Sequence, residues 1–237
     1  MKRMLSATAQ SVTPPIIWNA YLRARGLVLA RPWQTFGNMQ TCIDARPLTE
    51  GRFAELHDRY RSLDPFTGEA YRYRHYNVCC LANLCRHIPG DFACAGVSFG
   101  ATAKIVYEFV DFPTLGKTFH LIDPLEGVVD KSGRIAPNYN RDPDYVLRQY
   151  PPGAPVVLHR ERAPLRLPGP LAFAFTDTGD AMSGAATLPS FYDALNHGGM
   201  LVVFEYGQNT ERFAPTVERL GVTPFWLPSG QAVIVKQ

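Results

Sequence analysis

The chain has 237 residues, 46% hydrophobic and 19% charged, with 24 basic against 21 acidic side chains, as expected of a soluble globular protein with one large α/β domain or two small ones. A formal charge of +3 with no Lys/Arg stripe argues against nucleic acid as a partner. No stretch approaches the ~18 apolar residues that span a membrane, and Ser6, Gln10, Ser11, Thr13 and Pro14-Pro15 stand where a secretory leader needs an apolar segment. The expectation is a cytoplasmic protein, away from membranes, with self-association left open. Five cysteines form no CxxC pair and no spacing suited to tetrahedral zinc, so they read as buried, inert thiols.

Residues 1–48, punctuated by Pro14, Pro15, Pro32 and Pro47, predict loops and short helices. Phe53, Leu56 and Tyr60 recur at helical spacing within Thr49 to Leu63. A second helical stripe, Tyr73, Asn77, Cys80, Leu81, Leu84 and Ile88, stops at Pro89-Gly90. These features divide the chain into an N-terminal arm with helices, 1–72, and a main domain, 73–237.

From Asp91 short apolar runs alternate with helical segments, the pattern of a parallel sheet buried on both faces. The predicted strands are Phe92–Val97, Thr118–Ile122, Val156–His159, Leu171–Thr176 and Met200–Phe204. Ala101, Ile105, Val106, Phe109 and Val110 form one face of a covering helix, and Asp142–Tyr150 a short one. Another follows the fourth strand, with Pro189 in its first turn and Gly198-Gly199 at its exit. Phe213, Val217 and Leu220 make the last helical face, ending at Gly221. Thr223–Leu227 and Ala232–Lys236 flank Pro228-Ser229-Gly230-Gln231, too short for a parallel crossover, so a hairpin closes the chain. An otherwise parallel sheet with a terminal antiparallel hairpin indicates the Rossmann-like fold of class I methyltransferases, here with an N-terminal helical extension.

Ligands of such sheets sit beyond the carboxyl ends of the strands. The loop after the first strand, Gly96-Val97-Ser98-Phe99-Gly100-Ala101, has two glycines that let the backbone turn tightly beside a ligand, so Gly96, Ser98 and Gly100 are candidate cofactor contacts. Asp123 ends the second strand about 20 residues on, where an acid accepts hydrogen bonds from ribose hydroxyls. His159 ends the third strand, on the adenine side. The glycine pattern is not the full GxGxxG of nicotinamide enzymes.

Arg74-His75-Tyr76-Asn77 through Ile88-Pro89-Gly90-Asp91-Phe92, then Gly96-Val97, resembles the opening of the catalytic domain in the macrocin O-methyltransferase family. Phe119-His120-Leu121-Ile122-Asp123-Pro124-Leu125-Glu126-Gly127 is similar to that family's Asp-x-Phe-Glu-Gly segment. Gly198-Gly199-Met200 to Glu205-Tyr206-Gly207 resembles its Gly-Gly strand ending in Asp-Asp-Tyr-Gly. The likeness covers residues 74 to 207. It implies methyl transfer from S-adenosylmethionine to a hydroxyl of a small molecule such as a sugar or natural product, in many relatives with bound Mg²⁺.

Carried over by position, Gly96 and Gly100 line the methionine part of the cofactor and Asp123 its ribose. The family's Asp-Gly-Asp reads Asp177-Thr178-Gly179-Asp180 here, which makes Asp177 a metal ligand and Asp180 the catalytic base. Glu205 falls in the second metal-ligand region. Cys94 replaces an acid, Ser98-Phe99-Gly100-Ala101 the usual Trp-Arg-Gly-Gly, and Phe204-Glu205 the Asp-Asp pair. These departures motivate a rival reading, a catalytically silent relative that binds a ligand or partner. The segment Val128–Arg141 is a candidate cover for an acceptor pocket.

Overall fold

The computed structural model describes residues 17, 34–36, 39–41, 44–65, 68–127, 140–162, 165–167, 169–178 and 181–237. A small antiparallel hairpin comes first, β1 (Gln34–Phe36) with β2 (Met39–Thr41). The expectation for that region was loops and short helices; the strands are too short to show an alternation in sequence. Then follow α1 (Arg46–Thr49), α2 (Gly51–Tyr60) and α3 (Arg72–Leu84). Phe53 and Leu56 of α2 are buried, as their spacing predicts.

The main sheet contains β3 (Asp91–Ala95), β4 (Phe119–Ile122), β5 (Val156–His159), β6 (Leu171–Thr176), β7 (Leu195–Val203), β8 (Phe225–Trp226) and β9 (Ala232–Val235). Between them lie α4 (Ala101–Phe109), α5 (Pro143–Leu147), α6 (Ala181–Ala194) and α7 (Thr210–Leu220). The order is β5-β4-β3-β6-β7-β9-β8. β3 to β7 pair in parallel, and β9 runs antiparallel to both neighbours. This is the expected mostly parallel, doubly wound sheet with its terminal hairpin.

The pleat sorts side chains onto two unlike faces. One carries Phe92, Phe119, Phe173, Phe175 and Phe204, packed beneath α2, α3 and α4 through Phe53, Val78, Ala82, Ile105 and Val106. The N-terminal helices thus share one core with the sheet. The other face carries Ala93, Ala95 and Ala174, and these small residues admit Leu188 and Phe191 of α6 with Phe213 and Val217 of α7. Pro189 does not sit in a first turn: α6 begins at Ala181, and Pro189 lies inside it. The first strand ends at Ala95, two residues short of the expected Val97, because Gly96 already turns at φ +84. Cys79, Cys85 and Cys94 are free and buried, which raises their thiol pKa values. No helix among the described residues is long and apolar enough to cross a membrane.

Candidate functional site

The chain winds outward from β3 in opposite senses, to β4 and β5 on one side and to β6 and β7 on the other. The crevice of such a sheet opens where that order reverses, at the carboxyl ends of β3, β4 and β6. Gly96, Asp123 and Asp177 follow those three strands directly.

Gly96 is required there by close approach. A Cβ on it would lie 2.2 Å from the carbonyl oxygen of Asp177 and 2.6 Å from Thr178 Cα. Ser98 at φ +50 and Gly100 at φ +87 continue the left-handed turn into α4. The Ser98 N–H donates to Asp123 Oδ2 at 2.9 Å, and the Leu125 N–H donates to Asp123 Oδ1 at 2.7 Å. The second contact is an Asx-type turn that aims the carboxylate back over the glycine loop. Each oxygen keeps a free lone pair, the capacity a vicinal diol needs. The Ser98 hydroxyl is buried without a partner among the described residues. The glycine turn, the orphaned hydroxyl and the aimed carboxylate bring Gly96, Ser98, Gly100 and Asp123 together in a set whose chemistry suits a nucleoside with a polar tail.

The loop is held from its far side by residues that carry no motif. Asn140 Nδ2 donates to Ser98 O at 3.1 Å, and Gln149 Nε2 donates to Phe99 O at 2.7 Å. The Phe99 ring meets Tyr145 edge-on at 5.9 Å. Glu126 and Arg162 form an exposed ion pair between the loops after β4 and β5.

His159 contributes its main chain, its carbonyl accepting from the Asp123 N–H at 3.0 Å. Its ring turns instead to His120, with His159 Nε2 3.0 Å from His120 Nδ1, and His120 Nε2 lies 3.3 Å from Asp91 Oδ2. Burial, then the neighbouring His120, lower the pKa of His159. An Asp–His–His chain therefore crosses β3, β4 and β5, because parallel register puts these side chains on one face.

A second cluster gathers at the ends of β6 and β7. Glu205 Oε1 accepts from Arg74 Nη1 at 3.0 Å. With its amide oriented to suit both neighbours, Gln208 donates to Glu205 Oε2 and accepts from Arg74 Nη2 at 2.9 Å. Arg74 Nε donates to Ser229 O at 3.2 Å, and its guanidinium lies 5.1 Å from the Tyr71 ring centre. Asn77 Nδ2 donates to Ser229 Oγ and Gln231 Oε1, both at 3.1 Å, and ties α3 to the β8–β9 turn. Burial, and then the Glu205 charge, push the Asp177 carboxyl up to about 7. Burial, with Asp177 and Glu205 adding, takes the Tyr71 hydroxyl to about 12. Tyr71, Arg74, Asp177 and Glu205 thus share one electrostatic environment. Arg74 lies in the segment that carries the family resemblance; Tyr71 and Gln208 gave no sequence signal. Asp180 lies outside the described residues.

Among the described residues the donor set does not suit Mg²⁺, which needs oxygen ligands in near-octahedral array. Glu205 is engaged by Arg74 and Gln208, and Phe204, where the resembled family has an Asp, is wholly buried against Phe175. Among the described residues, three candidate ligand atoms come within 4.8 Å of one another at His57, Asp58 and Glu69. Arg72 pairs with both of those carboxylates, at 2.5 Å each.

Comparison with models of protein families finds no match, and comparison with curated proteins finds none. Among solved structures, the chain is similar to the O-methyltransferase NovP, with a TM-score of 0.56 at 15% identity over 69% of this chain and 79% of that one. It is similar also to apo CalS11, a TDP-rhamnose 3'-O-methyltransferase of calicheamicin biosynthesis, with a TM-score of 0.53 at 14% identity over 81% and 99% of the two chains. The SAH-bound methyltransferase PaMTH1 of Podospora anserina gives 0.53 at 14% identity over 78% and 87%. The likeness is one of fold, and that fold is the Rossmann-like one of class I methyltransferases.

Proposed function

We propose that this protein is an S-adenosylmethionine-dependent methyltransferase acting on a hydroxyl of a small molecule, a sugar or a natural product. The observation that carries the reading is the Asp123 carboxylate, aimed by two backbone N–H groups over the Gly96–Gly100 turn at the switch point of the sheet. The O-methyltransferases among the fold neighbours support it. When bound, S-adenosylmethionine would supply an electrophilic methyl group for transfer to the acceptor oxygen.

The chain's own residues hold, orient and take a proton. Asp123 would hold the ribose diol, and the Gly96–Gly100 turn would line the methionine part. Orienting donor and acceptor supplies much of the rate. The alcohol must also lose its proton to a carboxylate within hydrogen-bonding reach. Asp177, whose backbone packs on Gly96 at the end of β6, is one candidate base; Asp180, three residues on, is the base that the family resemblance assigns by position.

Calorimetry with S-adenosylhomocysteine tests the cofactor site, and methyl transfer by Asp177→Asn and Asp180→Asn separates the two bases. Absence of binding to wild-type protein at millimolar ligand would refute the reading. The buried Phe204 and the engaged Glu205 favour a second one, a silent binding protein of the same fold. Methyl transfer that either Asp variant abolishes rejects it.

A further inference from the structure

Resting on the methyltransferase reading, we propose that the Arg74 guanidinium is the fixed cation of this site, taking the place of a divalent metal beside Asp177 and Glu205, so that transfer needs no metal ion. Its role is positioning: it sets the charge and orientation of the carboxylates at the ends of β6 and β7.

Arg74 is built in rather than draped over the site. Its side chain is 9% exposed, and it is anchored to Glu205, to Ser229 O and over the Tyr71 ring. Its backbone carbonyl accepts from Gln231 Nε2 at 3.2 Å, so the β8–β9 turn grips both ends of the residue. A guanidinium held this way does not swing aside to admit an ion, and its planar fork suits a carboxylate.

The remaining chemistry agrees. With Phe204 in the core and Glu205 paired, Asp177 is, among the described residues, the one metal-ligand carboxylate of the family resemblance left at this end of the sheet. One carboxylate is a poor site for a cation that dehydrates reluctantly. A dication placed beside Arg74 would also meet direct repulsion in a partly buried setting, where screening is weak. The same positive charge offsets Glu205, which otherwise adds a second negative charge next to the acceptor oxygen.

The probe is Mn²⁺, followed by water-proton relaxation on the full chain, alongside methyl transfer with and without chelator. Wild-type protein is expected to show no Mn²⁺ site that Asp177→Asn removes, and chelator is expected to leave transfer unchanged. Arg74→Met lowers turnover by about tenfold or more, the range set by loss of one electrostatic contact in a site, and Arg74→Lys retains more turnover than Arg74→Met. A stoichiometric Mn²⁺ site in the wild type that Asp177→Asn abolishes overturns the proposal, as does full turnover in Arg74→Met or transfer restored by metal after chelation. If Arg74→Met fails to fold, the wild-type relaxation and Arg74→Lys decide. Calorimetry with S-adenosylhomocysteine reads separately: no heat sinks the methyltransferase reading, while the Mn²⁺ result still tests the cation.

Discussion

Gly96→Ala is the sharpest test of how the crevice is built. The new methyl carbon would lie 2.2 Å from Asp177 O, 2.4 Å from Asp177 C and 2.6 Å from Thr178 Cα, all backbone atoms. No rotamer relieves the overlap; the ends of β3 and β6 must part by about 1 Å to reach ordinary contact. Overpacking of this kind costs roughly 1–3 kcal/mol, and an alanine at φ +84 adds about 1–2 kcal/mol. Reduced freedom of the unfolded chain returns about 0.4–1 kcal/mol, leaving a net loss of about 3 kcal/mol, a large share of a typical domain's stability. In urea this moves the unfolding midpoint down by about 1 M or more. Parting the strands also draws the Ser98 N–H from Asp123, so binding of S-adenosylhomocysteine weakens in the protein that remains folded. An unchanged midpoint together with unchanged affinity would refute the close approach and the clamp built on it.

Acid stability follows from His57 and His75, wholly buried under α4, with His57 lowered to about 4 and His75 to about 3, chiefly by burial. Their folded pKa values lie below the unfolded one, so the unfolded state gains protons first and stability falls as pH drops below about 6.5, by roughly 2 kcal/mol for each at pH 5. Asp177 opposes this: its raised pKa makes the folded state the better proton binder, adding roughly 2–3 kcal/mol between pH 8 and pH 5. Urea midpoints at the two pH values should therefore show a smaller acid loss in His57→Phe and a larger one in Asp177→Asn; equal losses in all three proteins count against the assignment. Asp123→Ala strips the Ser98 and Leu125 N–H groups of their acceptor, costs about 1–3 kcal/mol in thermal unfolding and removes cofactor binding; retained binding sinks the ribose role. Phe204→Asp, which restores the acid of the resembled family, is expected to lose about 4 kcal/mol or more from a vacated aromatic site and a buried charge, and to gain no Mn²⁺ affinity. A stable variant that binds Mn²⁺ would show that this position can face the site.

The sheet was legible in the linear pattern because strands buried on both faces read as apolar runs and the covering helices as amphipathic stripes. β5 and β6 match their predicted bounds, and the short Pro228–Gln231 link required the antiparallel turn that β9 makes. The places of Gly96 and Asp123 were legible for a related reason, since the fold dictates that the loop after each parallel strand meets the crevice; Asp177 was named through the family resemblance. The helix around Pro189 was not, since its first two turns, Ala181 to Leu188, lack the charged face that marks an amphipathic helix, and Pro189 mimics a start.

Side-chain partners across the fold were decided only in three dimensions. Arg74 and Glu205 are 131 residues apart, Asn77 and Ser229 152, and no local periodicity encodes which guanidinium will face which carboxylate. His159 shows the same limit: its place at a strand end could be read from sequence, but parallel register with β4 turned its ring to His120. The amino-acid order determined which strands form and where their ends lie, because burial and backbone pairing act through short-range pattern. Tertiary packing decided which charges meet there, and by bringing Arg74 onto Glu205 it gave the site a cation of its own.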